Sequence, residues 1–125
     1  MICQDIAPTL IELAGGKPGP QIQGRSLLPM FASSRARLRR SLMVEYWAEN
    51  AMPWLVGMSY KAVRTERYKY IHWVNRGLDG ELDELYDLET DPWELSNLNR
   101  SRAHAATRER LRRELGTLVK QSVGL

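Results

Sequence analysis

A chain of 125 residues suits one domain of ordinary size, able to bury about two thirds of the surface its unfolded form exposes. Its single cysteine, Cys3, excludes an internal disulfide and leaves no cluster with zinc-ligand spacing. No apolar run is long enough to span a membrane, and the start "MICQDIAPTLIELAGG" lacks the basic-then-apolar profile of a signal peptide. The net charge of +3 is unevenly spread. Arg35, Arg37, Arg39 and Arg40 cluster, as do Arg100, Arg102, Arg108, Arg110, Arg112 and Arg113, whereas the stretch from Asp79 to Glu94 holds acids and no base. Such asymmetry implies either an anion-binding surface or oppositely charged segments that meet in the fold.

In chain order, Asp5 reads as the N-cap of a helix whose Ile6, Leu10, Leu13 and Ala14 share one face. Pro8 is tolerated in the first turn, where backbone N–H groups have no intrahelical partner, and Gly15 and Gly16 end the helix. Entry into a helix with no preceding strand is what a fragment would show. "GKPGPQIQG" is a loop, "SLLPMF" a short apolar segment, and the polar "ASSRARLRRS" the expected boundary, dividing the chain into 1–32 and 33–125.

Beyond that boundary the texture is that of strands: "SLMVEYW", read as buried, then "MSYKAVRT", "YKYIHWV" and "ELYDL". Alternation puts Tyr60, Ala62 and Arg64 opposite Lys61 and Val63, and Tyr68, Tyr70, His72 and Val74 opposite Lys69, Ile71 and Trp73. The "ERY" link is short enough for a hairpin. A last helix carries Leu111, Leu115 and Leu118 at i, i+4 and i+7, with Gly116 interrupting it at a cost of about 1 kcal/mol relative to Ala. About four antiparallel strands followed by one amphipathic helix predict a small α+β sandwich, because the sheet must cover its apolar face.

The corner "ETDPWELSNL" fits a capping box: Asp91 as cap, Pro92 at the first helical position, and Glu94 reaching back to the cap. A capping carboxylate is engaged with backbone and so unavailable for proton transfer, which makes these three residues structural. Trp93 and Leu95 are then expected to seal the sheet's end.

Taken in order, "DIAPTLIELAGG", "IQGRSLLP", "VEYW", "AVRTERYKYI" and "ELYDLETDPWELSNL" resemble the C-terminal end of a sulfatase of the alkaline-phosphatase-like superfamily, of the N-sulphoglucosamine sulphohydrolase type. The resemblance implies a large α/β catalytic domain upstream, to which the first helix would belong. It also implies a calcium-type metal and a formylglycine nucleophile in the full-length enzyme, a sulfated small molecule or sugar as substrate, and frequent export (periplasmic, extracellular or lysosomal). Cys3 is followed by Gln, Asp and Ile, so it lacks the C-x-P-S-R pattern of a formylglycine precursor. Neither an Asp-Asp nor an Asp-Asn pair supplies metal carboxylates. The expectation is a chain with no catalytic residue, metal or cofactor of its own, inactive alone, completing the cleft of an absent domain.

Substrate-contact candidates are Trp54, in the loop "AENAMPWLVG", together with His72 and Arg64, since binding residues concentrate on loops and strand ends held by a rigid frame. Trp47 and Trp73 could offer aromatic faces to a sugar but more often pack in a core. His104 reads as a boundary residue. Arg25 is expected to anchor the two parts of the chain, and Arg64 to pair with Glu45 across adjacent strands, worth roughly 0.2 to 1 kcal/mol.

Two other classes compete. A small basic domain could bind nucleic acid or another polyanion, but "RARLRR" and "RERLRR" carry no aromatic residues for stacking, so no nucleic-acid partner is expected. A standalone interaction module would be marked by exposed apolar surface on the first helix.

Overall fold

The structure, a computed structural model, describes residues 3–47, 58–74 and 80–123. The chain forms two compact units, Met1–Arg40 and Ser41–Leu125. The arginine-rich run therefore belongs to the first unit, which extends eight residues past the division expected from composition.

In the first unit a 3-10 turn, Cys3–Asp5, leads into α1, Ile6–Leu13. Asp5 stands where an N-cap was expected, but its backbone is already helical and its side chain makes no cap bond. The carboxylate has stronger partners. Fully buried, it accepts the Arg25 N–H at 2.9 Å and two guanidinium bonds from Arg39 at 2.7 Å each. A bidentate, charge-assisted pair outweighs one neutral cap bond. Thr9 extends the network, its hydroxyl donating to the Asp5 carbonyl and accepting the Leu27 N–H at 2.9 Å.

The Arg25 guanidinium donates to the Leu38 carbonyl at 2.7 Å, a backbone anchor across the division expected after residue 32, with both residues inside the first unit. Gly24 is required here, since a Cβ on it would lie 1.8 Å from the Gln4 carbonyl oxygen. Helix α1 ends as expected. Gly15 takes φ +79°, its N–H reaches the Glu12 carbonyl, and the Gly16 N–H reaches that of Ile11 at 2.9 Å. The apolar segment after Arg25 forms a short helix, α2 (Leu28–Ala32), with Pro29 in its first turn.

The second unit is a four-stranded antiparallel meander in the order β1 (Ser41–Tyr46), β2 (Tyr60–Thr65), β3 (Tyr68–Trp73) and β4 (Glu84–Asp87), followed by a 3-10 turn, Arg102–His104, and α3 (Ala105–Val123). Its register sets Met43 opposite Val63, Val63 opposite Tyr70, and Tyr70 opposite Leu85. That row is the floor of the core. Leu111 and Leu115 of α3 close it from above, with Leu118 and Val119 packed alongside. Burying each such side chain contributes about 1.5 to 3 kcal/mol.

Strand β1, expected to be buried, is an edge strand whose Val44 and Tyr46 remain exposed, because it has a neighbour on one side only. On the face away from α3, Tyr46 stacks on Tyr60 with centroids 5.6 Å apart, and Tyr60 meets Trp73 edge-on at 5.5 Å.

The corner after β4 differs from its expected form. No helical turn follows Pro92, and Glu94 takes φ +56°, a left-handed conformation incompatible with a capping box. The Asp91 carboxylate instead accepts the Ser96 N–H at 2.8 Å, and Glu94 reaches across to Lys69 on β3 at 2.6 Å. The charged partner on the neighbouring strand wins over a reciprocal cap. Trp93 and Leu95 do not seal the sheet; they are 81% and 82% exposed. Asn97 and Leu98 do that work, since the Asn97 side chain accepts the Leu85 N–H at 3.1 Å and the Leu98 N–H reaches the Leu85 carbonyl at 2.8 Å. Both backbone groups of an edge residue are thereby occupied.

Arg67, in the β2–β3 turn, grips the buried Asp87 through Nε and Nη2, with Nη2 at 2.7 Å, and also reaches Glu89 at 3.0 Å. The Arg67 bonds hold Asp87 below its ordinary value against burial, which pushes the other way. A lowered carboxylate contributes stability that is full above the unfolded value and lost as pH falls through the folded one. Thermal midpoints measured against pH are therefore expected to separate the native chain from Asp87→Asn at neutral pH. The gap should narrow below about pH 4, as the native carboxylate is titrated.

Candidate functional site

The row next to the core, on the same face of the sheet, is polar. Register places Glu45 opposite Lys61 and Lys61 opposite His72. Lys61 pairs with Glu45 at 3.1 Å and lies over the ring of Trp47, 5.3 Å from its centroid. Trp47 itself is exposed. Glu45 is thus held by Lys61, not by Arg64 as expected. Arg64 stands opposite Leu42 and Lys69, on the other face of the sheet, because it is three residues from Lys61 in an alternating strand.

Just before β4, the chain brings Asp83 under this row. The residue is 3% exposed. One carboxylate oxygen accepts the Tyr70 hydroxyl, and the other lies 3.0 Å from His72 Nδ1 and accepts the Trp73 N–H at 3.4 Å. Burial, then the bond to Asp83, pushes the Tyr70 hydroxyl well above the ordinary phenol value, so it remains a donor across the neutral range. An ionised carboxylate only accepts, which assigns the His72 proton to Nδ1 and leaves Nε2 as the ring's other polar atom. The Asn97 amide donates to the Asp83 backbone carbonyl at 3.3 Å and ties this loop to the corner beyond β4.

Helix α3 lies over the row and completes a cleft of about 420 Å³. Its polar lining is Lys61, Tyr70, His72, Arg112 and Lys120, around Leu115. A second cleft, of about 450 Å³, shares Tyr70 and Arg112 but mixes Arg100 and Arg108 with Glu81 and Glu109. There Arg108 donates to the Asn99 carbonyl, while Asn99 Oδ1 is buried with no partner among the described residues.

Of the sequence candidates, His72 lines the first cleft, Arg64 lies on the opposite face, and Trp54 falls outside the described residues. Trp73 is half-buried and donates through Nε1 to Glu84 at 3.1 Å, and His104 meets the Ser101 hydroxyl at 3.0 Å near the start of α3. Sequence reasoning missed Asp83, Arg112 and Lys120. The signal for the last two was their spacing, Arg112-x3-Gly116-x3-Lys120, which places them on one helix face. Asp83 had none, since its partners are set by tertiary folding. Among the described residues no group of three or more His, Cys, Asp or Glu could hold a metal ion. None of the helices there is long and apolar enough to cross a membrane.

Residues 1–121 match the family described as N-sulphoglucosamine sulphohydrolase, C-terminal. The chain is 37% identical over 97 residues to choline-sulfatase of Rhizobium meliloti, covering 75% of this chain and 17% of that protein. It is 34% identical over 94 residues to Delta 4,5-hexuronate-2-O-sulfatase of Bacteroides thetaiotaomicron, covering 75% and 18%. A solved structure in complex with its substrate, D-glucosamine-2-N,6-O-disulfate, is similar at a TM-score of 0.79 and 29% identity, over 94% of this chain and 23% of that one. The chain spans less than a quarter of the length of these relatives.

Tyr70→Phe keeps the ring in the core and deletes one donor to a buried carboxylate. Urea unfolding of this variant is expected to show a loss of about 1 to 3 kcal/mol.

Proposed function

This chain belongs to the N-sulphoglucosamine sulphohydrolase C-terminal family of sulfatases, and from that premise we propose that it completes the fold and substrate cleft of a sulfuric ester hydrolase whose catalytic domain lies outside these residues. The observation that carries the reading is the bare face of α1. Ile6, Leu10 and Leu13 are 47%, 60% and 61% exposed, while Pro8 and Thr9 are buried. An amphipathic helix with its apolar side in water is the mark of a missing partner, and the catalytic domain of a sulfatase supplies one.

Formylglycine and a calcium-type metal are what the family resemblance implies for attack on the ester and for stabilising developing charge. The residues here fit neither. Cys3 is exposed and followed by Gln4, Asp5 and Ile6, and no described cluster offers a metal's donor set. In this reading the described residues contribute binding and positioning. His72 is the candidate that geometry favours for contact with a sulfated sugar or small molecule, because Asp83 fixes its ring and leaves Nε2 available. Arg64 remains a candidate on the other face of the sheet and Trp54 one outside the described residues, and Asp91, Pro92 and Glu94 hold the corner after β4.

The polyanion reading gains little support, since Arg25, Arg39 and Arg108 are engaged inside the protein.

Two measurements test the proposal. The purified chain is expected to show no turnover of an aryl sulfate in the presence of calcium, and turnover would overturn it. The double variant Leu10→Glu, Leu13→Glu should lose binding of a hydrophobic fluorescent dye while its stability changes by no more than about 0.5 kcal/mol. Strong destabilisation would mean that the face is already covered.

A further inference from the structure

The geometry points to an oxyanion-binding site in the cleft between α3 and the sheet, shaped for the sulfate group of a sulfated saccharide. The choice of sulfate rests on the sulfatase reading; the cleft itself rests on the following observations.

Cations converge on it from two elements, Lys61 from β2 and Arg112 and Lys120 from α3, with His72 of β3 also in its lining. Among the described residues no Asp or Glu lines it. Lys61 is balanced by Glu45, but among the described residues neither Arg112 nor Lys120 has a carboxylate within ion-pair distance. The concavity is therefore net positive, and low-dielectric walls concentrate such a field. Its floor is apolar, built from Val74, Leu115 and Val119. A tetrahedral anion takes donors from several directions at once, and the apolar floor suits the carbon face of a sugar ring.

Gly116 supplies an independent observation. It lies within α3, where glycine weakens a helix, yet a Cβ added to it would meet nothing within 4 Å. Packing does not demand glycine there. It lines the cleft one turn from both Arg112 and Lys120 and places no side chain between the two cations. His72 adds orientation, since Asp83 holds Nδ1 at 3.0 Å.

The test is titration of the whole 125-residue chain, followed by amide chemical shifts, with D-glucosamine 6-O-sulfate, unsulfated glucosamine, sodium sulfate and sodium phosphate. The sulfated sugar is expected to saturate shifts in β2, β3 and α3, and the unsulfated sugar to leave them unmoved. Arg112→Gln with Lys120→Gln should weaken binding roughly tenfold or more. Gly116→Met should weaken it as strongly while leaving the thermal midpoint unchanged or higher, because Met is the better helix former. That pairing separates loss of the site from loss of the fold.

Sodium sulfate binding as tightly as the sugar sulfate supports the site and makes the anion alone its ligand. Phosphate binding with no response to either sulfate overturns the choice of sulfate and the sulfatase reading beneath it. Absence of saturable binding by any oxyanion, or binding that survives both variants, overturns the cleft and leaves that reading untouched.

Discussion

The antiparallel register that sets Tyr70 between Val63 and Leu85 is the constraint on which the second unit depends. In a pleated sheet a shift of one residue would move every side chain to the other face. With this register the apolar row falls under Leu111 and Leu115, and the adjoining row, Glu45, Lys61 and His72, falls beside it under the same helix. Core and cleft are thus two consequences of a single pairing. Tyr70 belongs to both: its ring is part of the core and its hydroxyl reaches the carboxylate beneath the cleft.

Asp5 in the first unit and Asp83 in the second are buried carboxylates that are satisfied differently. Asp5 is neutralised by the forked guanidinium of Arg39 and by a backbone N–H, which ties the start of the chain to its loop. Asp83 has a phenol, an imidazole and a backbone N–H instead. A buried charge with a full ion-pair partner is a structural tie, because removing either member strands the other. One held by a phenol, an imidazole and a backbone N–H orients the groups around it, and here the oriented group is His72.

The surfaces left uncovered agree with membership in a family of much longer proteins. Ile6, Leu10 and Leu13 form a bare stripe, and Trp93 and Leu95 stand in solvent at the corner. The second unit nevertheless has its own core, built from Val63, Tyr70, Leu85, Leu111 and Leu115.

Much of the architecture was legible in the sequence. Period-two alternation gave the strands, Leu111, Leu115 and Leu118 gave the covering helix, and Gly15 and Gly16 gave the end of α1, because these signals are local and each follows from backbone geometry. The family was legible too, through motifs kept in order along nearly the whole chain. What the sequence could not supply is the choice among competing partners for a charged group. Asp5 could cap its helix or bind an arginine far along the chain, Glu94 could reach its own cap or Lys69, and Glu45 could meet Arg64 or Lys61. Only the folded chain decides these, because the interaction energy depends on which side chains the tertiary structure brings within a few ångströms, and sequence spacing carries no record of that distance.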